Sequence, residues 1–185
     1  MEFQKKRLLN DLKSDINKAI KAANDFKNLS IDQLNYKENT EKWSILECLE
    51  HVSLYGDFYL KEIESSILKG KISTTTTFKS GFFGNYFAKS MQPKTDGTIP
   101  NKMKTFKDKN PANSNLPITV IDRFIKQQKQ MLTLLEQAEK VDLKAIKTKT
   151  TLPVIKFRLG DTFRFVIYHI NRHILQAKKI QIPVV

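Results

Sequence analysis

Four stretches of this chain repeat apolar residues every three or four positions, the spacing of an α-helix with one buried face. In residues 3–28 the stripe is Leu8, Leu9, Leu12, Ile16, Ala19, Ile20, Ala23 and Phe26, with Lys, Asp and Asn between them. A second stretch, from about 44 to 68, carries Ile45, Leu49, Val52, Tyr59 and Ile63. The third, about 117–140, shows Ile121, Phe124, Ile125, Gln128, Met131, Leu132, Leu135 and Ala138. The fourth, about 161–180, shows Phe163, Val166, Ile167, Ile170, Ile174, Ala177 and Ile180. In a chain of 185 residues such helices bury their stripes against one another. The expected fold is therefore all-α, an up-and-down four-helix bundle forming one domain over 1–185. Ser44 reads as the N-cap of the second helix, with Glu47 completing a capping box. Trp43 and Cys48 stand where a hydrophobic staple would place them.

Residues 69–117 break the pattern. They hold the β-branched run KISTTTTFK, one short helical segment ended by Pro93, and then Gly97 and Pro111. So long an irregular insertion is commonly a lid or binding loop. Phe82, Phe83, Tyr86 and Phe87 are candidates to line a pocket beneath it, although aromatics at that spacing also serve core packing. No apolar run approaches the roughly 20 residues that span a bilayer. The N-terminus lacks the apolar core of a secretory signal. A single cysteine, Cys48, rules out an internal disulfide. These features together predict a cytoplasmic protein. The net charge of +13 is uneven, with 14 basic and 12 acidic side chains in residues 1–92 but 18 and 7 in residues 93–185. Lysine outnumbers arginine 27 to 5, which suits solvated helix faces better than a nucleic-acid groove. Neither nucleic acid nor a membrane is expected as a partner.

The chain has only three histidines. His169 and His173 are one helical turn apart, so both imidazoles lie on one face and can offer two nitrogens to one divalent ion. His51 lies at the edge of the second helix's apolar stripe, beside Tyr55 and Cys48, and can point along a cleft between helices toward the pair. Three neutral imidazoles leave a coordination position open for water or substrate. An HxxxH pair also arises without any metal, and a lone histidine on an apolar face is commonly a hydrogen-bonded core residue. Ile170 stands where a zinc protease needs its glutamate, so that chemistry is excluded. Cys48 reads as a small buried hydrophobe rather than a ligand. Glu47 and Glu50 face away from His51 on the helical wheel, and Asp161 reads as the cap of the fourth helix. No catalytic base is assigned. Arg172, between the paired histidines, is either an anion contact for substrate or a solvated helix residue. Metal affinity is expected to fall below roughly pH 6, as imidazoles protonate.

The segment LSIDQLNYKENTEKWSILECLEHV, with a Trp-Ser helix start two turns before a histidine, resembles one half of the signature of the DinB-like (YfiT-like) superfamily. LGDTFRFVIYHINRHILQAKKI resembles the other half. The resemblance implies a four-helix bundle that binds a divalent metal, commonly zinc or nickel, through His51, His169 and His173. It also implies either a thiol-dependent S-transferase using a low-molecular-weight thiol or a metal-dependent hydrolase, and often a homodimer. The expectation drawn from it is a transferase acting on an electrophilic small molecule; Tyr55 and Arg172 are candidate substrate contacts by their positions beside the histidines, since the resemblance carries over no substrate motif. The alternatives are hydrolysis and a non-catalytic metal-binding stress-response module.

Overall fold

The computed structural model describes residues 1–94, 96–99, 105–112 and 115–181, and it is mostly helical. The long helices are α1 (Lys5–Phe26), α3 (Ile45–Leu68), α5 (Thr119–Ala138) and α6 (Leu159–Lys178). Two short helices, α2 (Ile31–Asn35) and α4 (Phe82–Met91), lie in the connections. The Ser44–Glu47 capping box starts α3 as expected, each residue's side chain accepting from the other's backbone N–H at 3.1 and 2.8 Å. A second box, Ser30 with Gln33, starts α2 in the connector between α1 and α3.

α1 packs on α5 and α6, and α3 packs on the same two helices. Their directions follow from which residues meet. Lys27, just past the end of α1, pairs with Asp122 near the start of α5, and Lys13 with Glu139 just past its end. These helices are antiparallel. Arg123 donates to Glu50, while Gln127 a turn later donates to the Ser53 carbonyl and to Asp57, so α3 and α5 run parallel. His51 meets His169 and Tyr59 meets Phe165, so α3 and α6 are antiparallel. Simple up-and-down alternation therefore does not describe α3 and α5.

Two parallel neighbours need a crossover that returns the chain along the helix, roughly 36 Å for the 24 residues of α3. The irregular insertion is that crossover. It carries β2 (Thr77–Lys79), α4, and a 3-10 turn at Lys107–Lys109. β2 pairs antiparallel with β1 (Glu2–Gln4), which is why α1 starts two residues later than its apolar stripe predicts. β3 (Lys147–Lys149) and β4 (Lys156–Arg158) form a second antiparallel ribbon before α6.

The core is built from the predicted stripes. Leu9, Leu12, Ile16, Leu49, Ile63, Phe124, Leu135, Phe163 and Ile167 are all fully buried. Gly56 leaves room for the Gln127 side chain between α3 and α5, since a Cβ there would lie 2.4 Å from Gln127 Oε1 and turn that amide aside. Among the described residues no helix is long and apolar enough to cross a membrane.

Candidate metal centre

The antiparallel contact of α3 with α6 brings all three histidines together. Their burial is nearly complete, at 3% exposure for His51 and 8% for each of the others. His51 Nε2 lies 3.2 Å from His169 Nε2, and His173 Nε2 lies 3.1 Å from the same atom. All three donor atoms fall within 4.8 Å of one another. Trp43, the residue before the α3 cap, walls the cluster, its ring 4.6 Å from His51 and 5.6 Å from His173. Tyr55, one turn beyond His51, stands edge-on to His51 and His169 at 5.1 and 5.0 Å.

The other ring nitrogens set the protonation. His51 Nδ1 donates its proton to the Lys109 carbonyl at 2.7 Å. His173 Nδ1 donates to Gln176 Oε1 at 3.0 Å. A neutral imidazole carries one proton, so both Nε2 atoms present bare lone pairs toward His169. His169 Nε2 has at most one proton to offer and cannot satisfy both. An electron-pair acceptor placed among the three satisfies all of them at once. Nitrogens about 2.0–2.1 Å from one tetrahedral ion are roughly 3.3 Å apart, close to the two spacings observed here. The donor set therefore fits a divalent metal ion.

Electrostatics point the same way. Burial pushes the His51 pKa down to about 4, against a smaller opposing effect from the Lys109 carbonyl. Burial likewise holds His169 and His173 well below the usual imidazole range, helped by one another, by His51 and by the Arg172 cation. All three are neutral at pH 7, the form that ligates.

The remaining candidates divide. Cys48 is fully buried, and burial pushes its thiol well above the ordinary range, so it is the buried hydrophobe expected. Glu47 is committed to the Ser44 cap and to Lys37, and Glu50 to Arg123. Arg172 is not a solvated helix residue. It is 7% exposed, and its Nη1 donates to the Ser90 carbonyl on α4. Tyr55 is buried beside the cluster, and burial raises its pKa to about 12, so its hydroxyl keeps its proton.

Two expectations are corrected. Asp161 does not cap α6, whose N-cap is Arg158 with no side-chain hydrogen bond. It lies within the first turn, accepts from the Gly81 N–H at 2.7 Å and from Ser80, and pairs with the buried Arg164. It thus anchors the start of α4, far from the histidines in its contacts. Among the described residues Phe82, Phe83 and Tyr86 are not enclosed, standing 85%, 62% and 65% exposed on α4. Phe87 packs on Phe157 at 5.6 Å.

Sequence reading missed Gln176, Lys109 and the part played by Trp43. Gln176 sits three residues after His173, where a helix brings side chains together, so that signal was present. Lys109 contributes only a main-chain carbonyl from 58 residues beyond His51, which no side-chain pattern reveals. Trp43 was read only as a staple.

Comparison with known proteins finds no match to a curated protein and none to a solved structure. The family model of the DinB superfamily matches residues 20–177, a span that includes all three histidines and every helix that positions them. The chain belongs to the DinB superfamily.

Proposed function

We propose that the protein is a divalent-metal-dependent enzyme that transfers a low-molecular-weight thiol to an electrophilic small molecule. The observation that carries this reading is the convergence of three neutral Nε2 atoms, two with their tautomer fixed by a second bond. His51, His169 and His173 would hold the ion, and imidazole ligands suit zinc or nickel. When bound, such an ion supplies Lewis acidity that lowers the pKa of a coordinated thiol or water.

The protein's own groups then have distinct tasks. The Lys109 carbonyl and Gln176 hold two imidazoles in register, and the Trp43 ring keeps water from one side of the cluster. The Tyr55 hydroxyl, which keeps its proton, would donate to a substrate oxygen or a leaving group. Arg172, beside His173 and anchored on Ser90, would attract a carboxylate-bearing thiol. Transfer is preferred to hydrolysis because a coordinated thiol needs no separate base. Of the carboxylates near the site, Glu47 and Glu50 are bound to Lys37 and Arg123, and Asp108, close enough to act on Tyr55, is paired with Lys109. A cytoplasmic location, where such thiols are abundant, and a homodimer belong to the same proposal.

The test is to load untagged protein with zinc or nickel and follow consumption of a chlorodinitrobenzene-type electrophile with a panel of small thiols. Turnover is expected only with metal and thiol together. Metal-dependent ester cleavage indifferent to thiol would overturn transfer in favour of hydrolysis.

A further inference from the structure

The charge asymmetry has a place in the fold. Two connectors, residues 69–80 after α3 and 140–158 between α5 and α6, together hold nine basic side chains and one acidic. They meet at the C-terminal end of α3. Lys69, Lys71, Ile72 and Lys147 line one cavity there of about 550 Å³, with Ser66 and Ser73. Beside it the β3–β4 ribbon places Lys147 directly across from Arg158, and Lys149 directly across from Lys156. Like charges facing each other across a ladder destabilise it. This ribbon carries two such pairs, and Lys147, Lys149 and Lys156 are all exposed.

Elsewhere the lysines divide: among the described residues Lys61, Lys126 and Lys129 have no ion-pair partner, and others are neutralised. Lys13, Lys27 and Lys37 each pair with a carboxylate. Among the described residues Lys69, Lys71, Lys144, Lys147, Lys149 and Lys156 have no side-chain partner at all. The two carboxylates at hand are turned onto the backbone instead. Asp142 accepts from the N–H groups of Lys144 and Ala145, and Glu62 from that of Lys149. Aliphatic side chains stand exposed among these cations, Ile72 at 87% and Leu68 at 78%.

We propose that this end of the molecule docks on an anionic lipid bilayer. A headgroup layer supplies negative charge for the lysines and an apolar boundary for Ile72 and Leu68, and a nucleic-acid backbone offers only the first. Within the two connectors no ring is exposed to stack on bases, since Phe78 and Phe157 are buried, and the exposed Phe82 and Phe83 at the start of α4 suit an apolar boundary as well as a base. The guanidinium of Arg158 is held by the Lys79 carbonyl through Nη1, so the patch presents mainly lysine ammonium groups. The expectation of no membrane partner rested on the lack of a spanning segment and did not address a peripheral contact. The docked face lies some 15 residues along α3 from His51, so the histidine cluster would stand roughly 22 Å above the bilayer and clear of it.

Each juxtamembrane lysine contributes about fivefold to partitioning onto anionic lipid. The experiment is co-sedimentation of the full chain with phosphatidylcholine vesicles, with and without phosphatidylserine, at low and high salt. Binding is expected only with phosphatidylserine, with loss at high salt. The triple variant Lys147→Gln, Lys149→Gln, Lys156→Gln should bind on the order of 100-fold more weakly. It should melt no lower than the parent, because it relieves both like-charge pairs. Ile72→Ser should weaken binding without altering its salt dependence. Removing as many lysines elsewhere, through Lys18→Gln, Lys126→Gln and Lys129→Gln, should leave most of the binding intact. Equal loss in both triple variants would overturn the proposal in favour of net charge alone. Equal partition onto neutral vesicles would overturn it too. So would absence of vesicle binding alongside tight, salt-sensitive binding of a short DNA duplex.

Discussion

α3 presents two polar faces, and they are built on opposite principles. Toward α5 it sets Glu50 and Asp57 against Arg123, and the Ser53 carbonyl and Asp57 against Gln127. Donors and acceptors there pair across the helices, although among the described residues Glu50 Oε2, Ser53 Oγ and Gln127 Oε1 stay buried without a hydrogen-bond partner. Toward α6 the same helix sets His51 against His169 and His173, three rings whose facing nitrogens are nearly all acceptors. That face lacks a positive centre, and the second bonds from Lys109 and Gln176 keep it lacking. A polar seam that pairs donors with acceptors, leaving only scattered single atoms over, is architecture. A buried seam short of one kind of partner is a site.

Removing a ligand should separate the two faces most sharply. His51→Ala takes away one of three donors and is expected to lower metal affinity by more than about 100-fold, beyond the usual effect of a supporting residue. Metal content of the purified variant by elemental analysis, with far-UV circular dichroism to show the helices intact, reads the effect. Metal content unchanged from the parent would sink the three-histidine centre.

Gln176→Leu should have a smaller effect of the same kind. His173 would lose the acceptor that holds its proton on Nδ1, and the ring could then turn or change tautomer. Supporting bonds of this type are worth about 10–100-fold in metal affinity. Competition with a chromogenic chelator measures it. An unchanged affinity would mean that burial alone orients the ring.

How much of this was legible in the residues differs by element. The stripes at three and four spacing marked every long helix, because burial on one side imposes that period whatever the neighbour is. For the same reason they said nothing of which helix lies beside which. Leu49 and Ile63 would be apolar against either an antiparallel or a parallel partner, so the crossover between α3 and α5 read as an insertion. Strands of three residues, such as Lys147–Lys149, are too short for alternation to stand out. The HxxxH pair was legible because helical geometry alone puts it on one face. His51 needed the added hint of a family resemblance, since nothing local ties it to a pair 118 residues away. Arg172 reads as a surface residue from its type, and only the packing of α4 on α6 buries it.

Acid should act on the histidine face through a definite number of protons. In the unfolded chain the imidazoles titrate near 6.5, whereas burial holds His51 in the fold down to about 4 and the other two well below the ordinary value. The unfolded state therefore binds more protons between these limits. Stability from the neutral cluster is complete above about pH 6.5 and is lost as pH falls toward 4. In that window each such histidine adds about 1.4 kcal/mol of slope per pH unit. His51→Gln should flatten the acid limb of unfolding free energy by about one proton's worth, as urea titrations at several pH values would show. The same burial extends metal retention below the pH of about 6 at which free imidazoles begin to protonate. A variant whose acid limb is as steep as the parent's would mean that His51 is not held neutral by the fold.

Arg123→Ala tests the face of α3 toward α5 and should have the smallest effect. Its guanidinium pairs with Glu50 and Asp57, but the side chain is 37% exposed and water reaches the pair. A partly exposed ion pair is worth about 1 kcal/mol at most, screened further by salt. Glu50 Oε2 is already buried without a partner, so losing Arg123 leaves that carboxylate less satisfied and pushes the effect toward the upper end of the range. The expected result is a melting temperature lower by a few degrees with metal content unchanged. Chemical denaturation and metal analysis on the same sample decide it. Loss of metal in Arg123→Ala would show that the two faces of α3 are coupled through the helix, and the separation drawn between them would fail.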